Sequence, residues 1–211
     1  TTLFRSVAFI RDFLLNSDVV LPLDSVNRPK TKEIRQNIRH FRKNLALNGQ
    51  YKLSSAVDFG NELTVTPLFG LGGAGNVLNC TIEDLFQLVD EKLTICTPYF
   101  NFPRTLQQKI RHLLRKGKKI EIIVGDKVAN DFYIPPEQPF KMVGALPYLY
   151  ENNLRRFSKK FEHEMAQGQL IIRTWKDGTN TYHLKGVWID DNYILLTGNN
   201  LNPRAWRLDA E

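Results

Sequence analysis

The chain is poor in the residues that build disulfide scaffolds and metal centres. Among 211 residues there are two cysteines, Cys80 and Cys96, too few for a disulfide framework and too isolated for a zinc site. They suit a reducing compartment. The four histidines, His40, His112, His163 and His183, stand apart from one another, and without a His/Cys/carboxylate cluster neither a metal nor a cofactor is expected. No apolar run approaches the roughly 18 residues of a spanning helix. The opening stretch TTLFRSVAFIRDFLL is broken by Arg5, Arg11 and Asp12, unlike a secretory signal, so any membrane contact is expected to be peripheral. Acidic residues are in deficit, 22 against 29 Lys and Arg, for a net charge of +7 and a pI near 9.4. Such a field attracts phosphate, whether on nucleic acid, anionic lipid or a nucleotide.

What remains is ordinary globular usage, with 42% hydrophobic and 24% charged residues. That is enough for one well-cored domain and an appendage. Leu3, Val7, Ile10 and Leu14, then Ile34, Ile38, Phe41 and Leu45 after the breaks at Pro22 and Pro29, recur at helical spacing and predict a helical arm over residues 1–60. From residue 61 to 211 short apolar runs alternate with helical segments, the rhythm of an α/β domain. LTVTPLF, LTICTPYF, IEIIVGD, QLIIRTW, YHLKGVWI and YILLTG read as strands. TIEDLFQLVDE, capped by Thr81, RTLQQKIRHLLRKGKK, stopped by Gly117, and NNLRRFSKKFEHEMA read as helices. The chain begins at Thr1 without Met and stops at RLDAE, as expected of a piece of a longer polypeptide.

The stretch YHLKGVWIDDNYILLTGNN carries the chemistry. Residues two apart in a strand face the same way, so His183 and Lys185 look in one direction and Val187 and Ile189 continue that row beneath the surface. Leu184 and Trp188 are expected to pack on the other face. Near neutral pH an imidazole serves as nucleophile or acid/base, and an ammonium clamps a phosphoryl oxygen whose charge grows during transfer.

The spacing His183-x-Lys185-x4-Asp190 is the HKD signature and resembles the phospholipase D superfamily. By chance it would arise in about one chain of this length in a hundred at average usage. The likeness extends through Asn200 and Glu211, and through ICTPYFNFP, QPFKMVGALPYLYENNLRRF and GNNLNPRAWRLDAE. Over most of residues 26–211 it is to the second half of the bacterial phosphatidylserine synthase family. The resemblance implies a phospholipase D-like mixed sheet flanked by helices. The activity implied is phosphatidyl transfer from CDP-diacylglycerol to L-serine through a phosphatidyl-histidine, with no metal.

Two facing HKD motifs are implied, and this chain has one, so the partner motif is expected upstream or on a second subunit. His183 is expected as acid/base, Lys185 and Asn200 as ligands of the phosphoryl oxygens, and Glu211 as the carboxylate orienting the imidazole. Asp190, counted with the catalytic set, is expected to brace the turn. The family serine is replaced by Gly198, and the backbone amides of Gly198 and Asn199 are the expected substitutes. Other HKD enzymes (cardiolipin synthase, phospholipase D, nuclease) and a non-catalytic lipid- or RNA-binding half stay open, with nucleic acid the less favoured partner. An anionic inner-membrane surface on the cytoplasmic side is the expected neighbour.

Other motifs have two readings. Leu154, Phe157, Phe161 and Met165, flanked by Arg155, Arg156, Lys159 and Lys160, make either an interfacial helix or a core stripe with a solvated basic face. RHLLRKGKK reads as a solvated helix end, with a phosphate or membrane contact as the other possibility. GLGGAGN lacks the rest of any nucleotide fingerprint and is expected to be a flexible loop. Tyr99 and Phe100 are candidates for the mouth of the site.

Overall fold

The computed structural model describes residues 75–209 continuously and positions 36, 66, 68, 70, 72 and 73 individually. The arm expected over residues 1–60 lies outside the described residues except for Gln36, which is helical. LTVTPLF is likewise outside them save Thr66 and Leu68, neither of which is in a strand. The chain divides into two compact units, Thr1–Leu68 and Phe69–Glu211, and the sheet belongs to the second.

Five strands form one mixed sheet: β1 (Lys92–Thr97), β2 (Lys119–Gly125), β3 (Leu170–Trp175), β4 (Gly186–Ile189) and β5 (Tyr193–Leu196), in the order β3-β2-β1-β4-β5. β1, β2 and β3 run parallel, while β4 returns antiparallel to β1 and β5 antiparallel to β4. Helices make the parallel crossovers, as parallel strands require. α2 (Arg104–Arg115) joins β1 to β2; α3 (Leu146–Lys160) and α4 (Glu162–Ala166) lie between β2 and β3. α1 (Val77–Leu85) precedes the sheet and α5 (Pro203–Arg207) follows it.

Alternation along the strands decides which face is buried. The register sets Leu93 beside Ile120 and Ile189, with Leu170 beyond Ile120, and all four are buried. Each such side chain contributes roughly 2 kcal/mol on leaving water. Leu106, Ile110, Leu113 and Leu114 form the buried stripe of α2, which ends where Gly117 adopts a φ of +80°. On the opposite face Glu121 is held by Lys92 at 2.7 Å and Arg173 at 2.6 Å, and these two cations keep its carboxyl below its ordinary pKa against a smaller desolvation effect.

Three expectations are corrected. The helix expected from Thr81 begins at Val77, capped by Asn76, whose side chain accepts from the Asn79 amide at 3.0 Å; Thr81 lies inside it. Within GLGGAGN, of which Leu71 and Ala74 lie outside the described residues, two positions have fixed partners: the Gly72 amide donates to Asp209 O at 3.2 Å, and Asn76 Nδ2 donates to Gly72 O. β4 begins at Gly186, so His183 and Lys185 precede the strand, and Leu184 is 45% exposed rather than packed.

Gly186 lets β4 pair closely with β5. A Cβ there would lie 2.7 Å from Leu195 O and 2.9 Å from the Trp188 ring, so β4 and β5 close together only because residue 186 has no side chain. Gly186→Ala is expected to cost about 1–3 kcal/mol, read as a lower urea midpoint with unchanged slope.

Candidate active site

The parallel strands β1 and β2 end at Thr97 and Gly125, and β4 starts beside Cys96. The segments leaving β1 and β2 and the one entering β4 therefore meet beyond the carboxyl ends of the parallel strands, where sheets of this kind gather ligands. Tyr182 fastens two of them together. Its amide donates to Ala129 O at 2.9 Å, and its buried ring packs with Trp175, 5.3 Å between centroids, over Cys96 and Ala129. Gly125 lets it in, since a Cβ there would lie 3.2 Å from Tyr182 Cβ and 3.1 Å from Pro98 O.

With Tyr182 anchored, His183 meets Asp131. His183 Nε2 is 2.5 Å from Asp131 Oδ2, and Lys185 Nζ is 3.3 Å from His183 Nδ1. An ammonium can only donate, so Nδ1 accepts from Lys185 and Nε2–H donates to the carboxylate. The partners thus define the tautomer. The shared direction expected of His183 and Lys185 is present, on an extended segment rather than a strand.

Asp131 was not among the residues the sequence singled out. Asn130, buried, turns the chain there by accepting from the Phe132 amide at 3.0 Å. Tyr99, buried at the end of β1, donates its hydroxyl to the same Asp131 Oδ2 at 2.5 Å and sets its ring edge-on to His183 at 6.4 Å. Desolvation pushes the Asp131 carboxyl upward, but the bonds from Tyr99 and His183 outweigh it and hold the group below its ordinary value. Burial, reinforced by Asp131, raises the Tyr99 hydroxyl well above its usual range. Tyr99 also stacks on Tyr150 at 5.4 Å, and Tyr150, Pro98, Lys127 and Glu151 line an adjoining cavity of about 400 Å³. Of the TPYF pair, Tyr99 belongs to the site. Phe100 belongs to the core, against Phe102 and Phe157.

Asn200 reaches the same end of the sheet through its backbone, its carbonyl accepting from Thr97 Oγ1 at 2.8 Å. Its Oδ1 is buried and has no partner, which leaves that end of the amide uncommitted. The Asn199 amide, expected as a phosphate donor, is instead bonded to Thr197 Oγ1 at 3.0 Å. Gly198 is exposed. Glu211 lies outside the described residues.

Asp190 stands at the far end of β4, about 16 Å of strand from Lys185. Its carboxylate accepts from the amides of Asp90 at 2.9 Å, Glu91 at 2.9 Å and Lys92 at 2.7 Å, and its own amide donates to Lys92 O at 2.9 Å. Desolvation opposes ionisation, but those three amides prevail and lower its pKa.

The apolar stripe of the long helix is core: Phe157 and Phe161 are buried, the latter under the Arg111 guanidinium at 5.8 Å. Arg155, Arg156, Lys159 and Lys160 are exposed. In the RHLLRKGKK segment His112, Arg115 and Lys116 are exposed too.

A family model described as cardiolipin synthase, PLD-like domain, matches residues 83–211. The chain is 72% identical over 205 residues to a CDP-diacylglycerol–serine O-phosphatidyltransferase of Haemophilus influenzae, covering 97% of this chain and 45% of that protein. It is 56% identical over 198 residues to the enzyme of that name from Escherichia coli, covering 94% and 43%. The crystal structure of phosphatidylserine synthase from Haemophilus influenzae superposes with a TM-score of 0.80 at 70% identity, over 97% of this chain and 46% of that one. The chain spans about half the length of the curated relatives it matches.

Removing the Asp190 acceptor leaves three amides without it. Asp190→Ala is expected to lose about 2 kcal/mol at neutral pH, measured by urea unfolding. Because the folded pKa is depressed, the carboxylate's contribution is present above the ordinary value near 3.9 and fades as pH falls through the folded one. The gap between wild type and variant should therefore narrow on acidification below about pH 4.

Proposed function

The chain belongs to the phospholipase D-like domain family of the cardiolipin synthase type, and on that premise we propose that it contributes one half of a phosphatidyltransferase centre. The reaction is transfer of the phosphatidyl group of CDP-diacylglycerol to L-serine, with release of CMP. One observation carries the reading: Lys185 Nζ converges on His183 Nδ1 at 3.3 Å beyond the carboxyl end of the sheet, in a chain 72% identical to a named enzyme of that activity. The other half of the centre, a second HKD motif, comes from the rest of the same polypeptide or from a second subunit.

In the first displacement the partner motif's histidine nitrogen forms a bond to phosphorus, and the bond to the CMP oxygen breaks with its electron pair. His183, entering this step as an imidazolium with a proton on each nitrogen, gives the Nε2 proton to that oxygen and is left neutral with its proton on Nδ1. In the second, the serine hydroxyl gives its proton to His183 as its oxygen bonds to phosphorus and the P–N bond breaks. Lys185 is placed to exchange its contact with Nδ1 for a phosphoryl oxygen, offsetting the charge that grows there. Nδ1 is then free to carry a proton toward a carboxylate, the task assigned to Glu211. The Asn200 amide joins Lys185 on the phosphoryl oxygens. Asp190 supports the hairpin and does not touch substrate.

The lipid substrate brings the centre to a membrane surface. Phe140 and Met142, 72% and 88% exposed, lie on the segment running from Asp131 into α3, with Lys141 between them and the basic face of that helix beyond. Apolar side chains flanked by cations are the composition of an interfacial contact, each basic residue near an anionic surface contributing about 1 kcal/mol.

Two measurements test these readings. In the full-length protein, CMP release from CDP-diacylglycerol should require serine, and His183→Ala and Lys185→Ala should each lower it by about 10³-fold; serine-independent release would point to a hydrolase. Met142→Asp and Arg156→Glu should each reduce cosedimentation with vesicles containing anionic lipid, the Arg156 effect disappearing at high salt as surface charge is screened. Unchanged cosedimentation would remove this face from the membrane contact.

A further inference from the structure

The carboxylate beside His183 is out of place in a site built for an anion. Lys185 and the basic chain suit a phosphoryl group, whereas Asp131 repels one. Its position is nonetheless specified on three sides. Tyr182 fastens its loop, the buried Asn130 turns it, and the buried Tyr99 hydroxyl at 2.5 Å fixes Oδ2. The group is also kept ionised, with its pKa below the ordinary value, while staying accessible, its side chain 35% exposed. An ionised, aimed and reachable carboxylate within 2.5 Å of the acid/base nitrogen calls for a cation as ligand.

The reaction supplies one. Serine's ammonium and hydroxyl sit on adjacent carbons, so a serine whose hydroxyl meets His183 Nε2 must carry its ammonium to the immediate surroundings of that nitrogen. We propose that Asp131 receives the ammonium of the acceptor serine, with Tyr99 holding the carboxylate in place, and that this contact selects serine over water and other alcohols. The inference rests on the phosphatidyltransferase reading and names its specificity residue. The pairing is a charge-assisted hydrogen bond at a partly desolvated position, the kind that discriminates strongly against a competitor lacking the group. By the second step Nε2 has given its proton to the leaving group and no longer donates to Asp131, which leaves that carboxylate open to the ammonium. Water and glycerol carry no charge with which to meet it.

The test is a product ratio. In the full-length protein with CDP-diacylglycerol and subsaturating serine, the phosphatidyl group partitions between phosphatidylserine and the hydrolysis product phosphatidic acid. A ratio of two products from one intermediate does not depend on the fraction of enzyme folded. Asp131→Asn is expected to lower it at least tenfold and to raise KM for serine, with Asp131→Glu recovering part of the loss. Tyr99→Phe should lower it less than Asp131→Asn does. In parallel, the wild-type preference for serine over 3-hydroxypropanoate, its analogue without the amine, should collapse in Asp131→Asn. If both products fall together and the ratio holds, Asp131 serves only to position His183 and the inference is overturned. A wild-type protein that yields neither product overturns the phosphatidyltransferase reading itself, an outcome separate from an unchanged ratio.

Discussion

The burial of Tyr182 is the constraint on which the rest depends. Its ring fills the space between Trp175, Cys96 and Ala129, and its amide bonds to Ala129 O, so the chain entering β4 is tied to the chain leaving β2. Every distance in the site follows from that fastening. His183 is the next residue on one strand of the tie, and Asp131 is two beyond Ala129 on the other. Without the tyrosine, an imidazole and a carboxylate 52 residues apart would have no reason to meet. The hole it fills exists because Gly125 has no side chain, which makes a core glycine and a core tyrosine the true supports of a surface site.

The fold was largely legible. β3 and β5 fall within the predicted strands and β1 and β2 begin one residue ahead of theirs, because each is a short β-branched or aliphatic run closed by a Gly, Pro or polar residue. α2 was legible from start to stop, since its apolar stripe and Gly117 are both local signals. The errors have local causes too. β4 was predicted too long because Tyr182 and Leu184 alternate with His183 and Lys185 as strand residues do, whereas the strand begins only at Gly186. α3 begins at Leu146, earlier than predicted, with Pro147 in its first turn, where proline is well suited. Thr81 and Asn76 are both good caps, and only the tertiary bonds of Gly72 and Asn76 choose between them.

The site was legible where it is written as a motif and hidden where it is not. His183 and Lys185 announce themselves by spacing, and their contact is a property of two residues in one extended segment. Asp131 belongs to VANDFYIP, which has no periodicity and lies outside the HKD motif. The one available signal was position: a carboxylate a few residues past the carboxyl end of a predicted parallel strand is well placed for a ligand. Tyr99 was noticed for the same reason, yet its partner could not be named, since a hydroxyl–carboxylate bond across 32 residues is a product of the finished fold.

The β4–β5 hairpin is secured at both extremities. At one, Asp190 gathers three amides at the start of β1; at the other, Thr197 donates to Lys185 O at 3.2 Å and Thr97 holds the Asn200 carbonyl. Mechanically it is a beam pinned at each support, not a cantilever, and it has no free end about which to swing. The backbones of Lys185 and Asn200 are therefore held in register with the end of β1, and the two residues share one rigid mount.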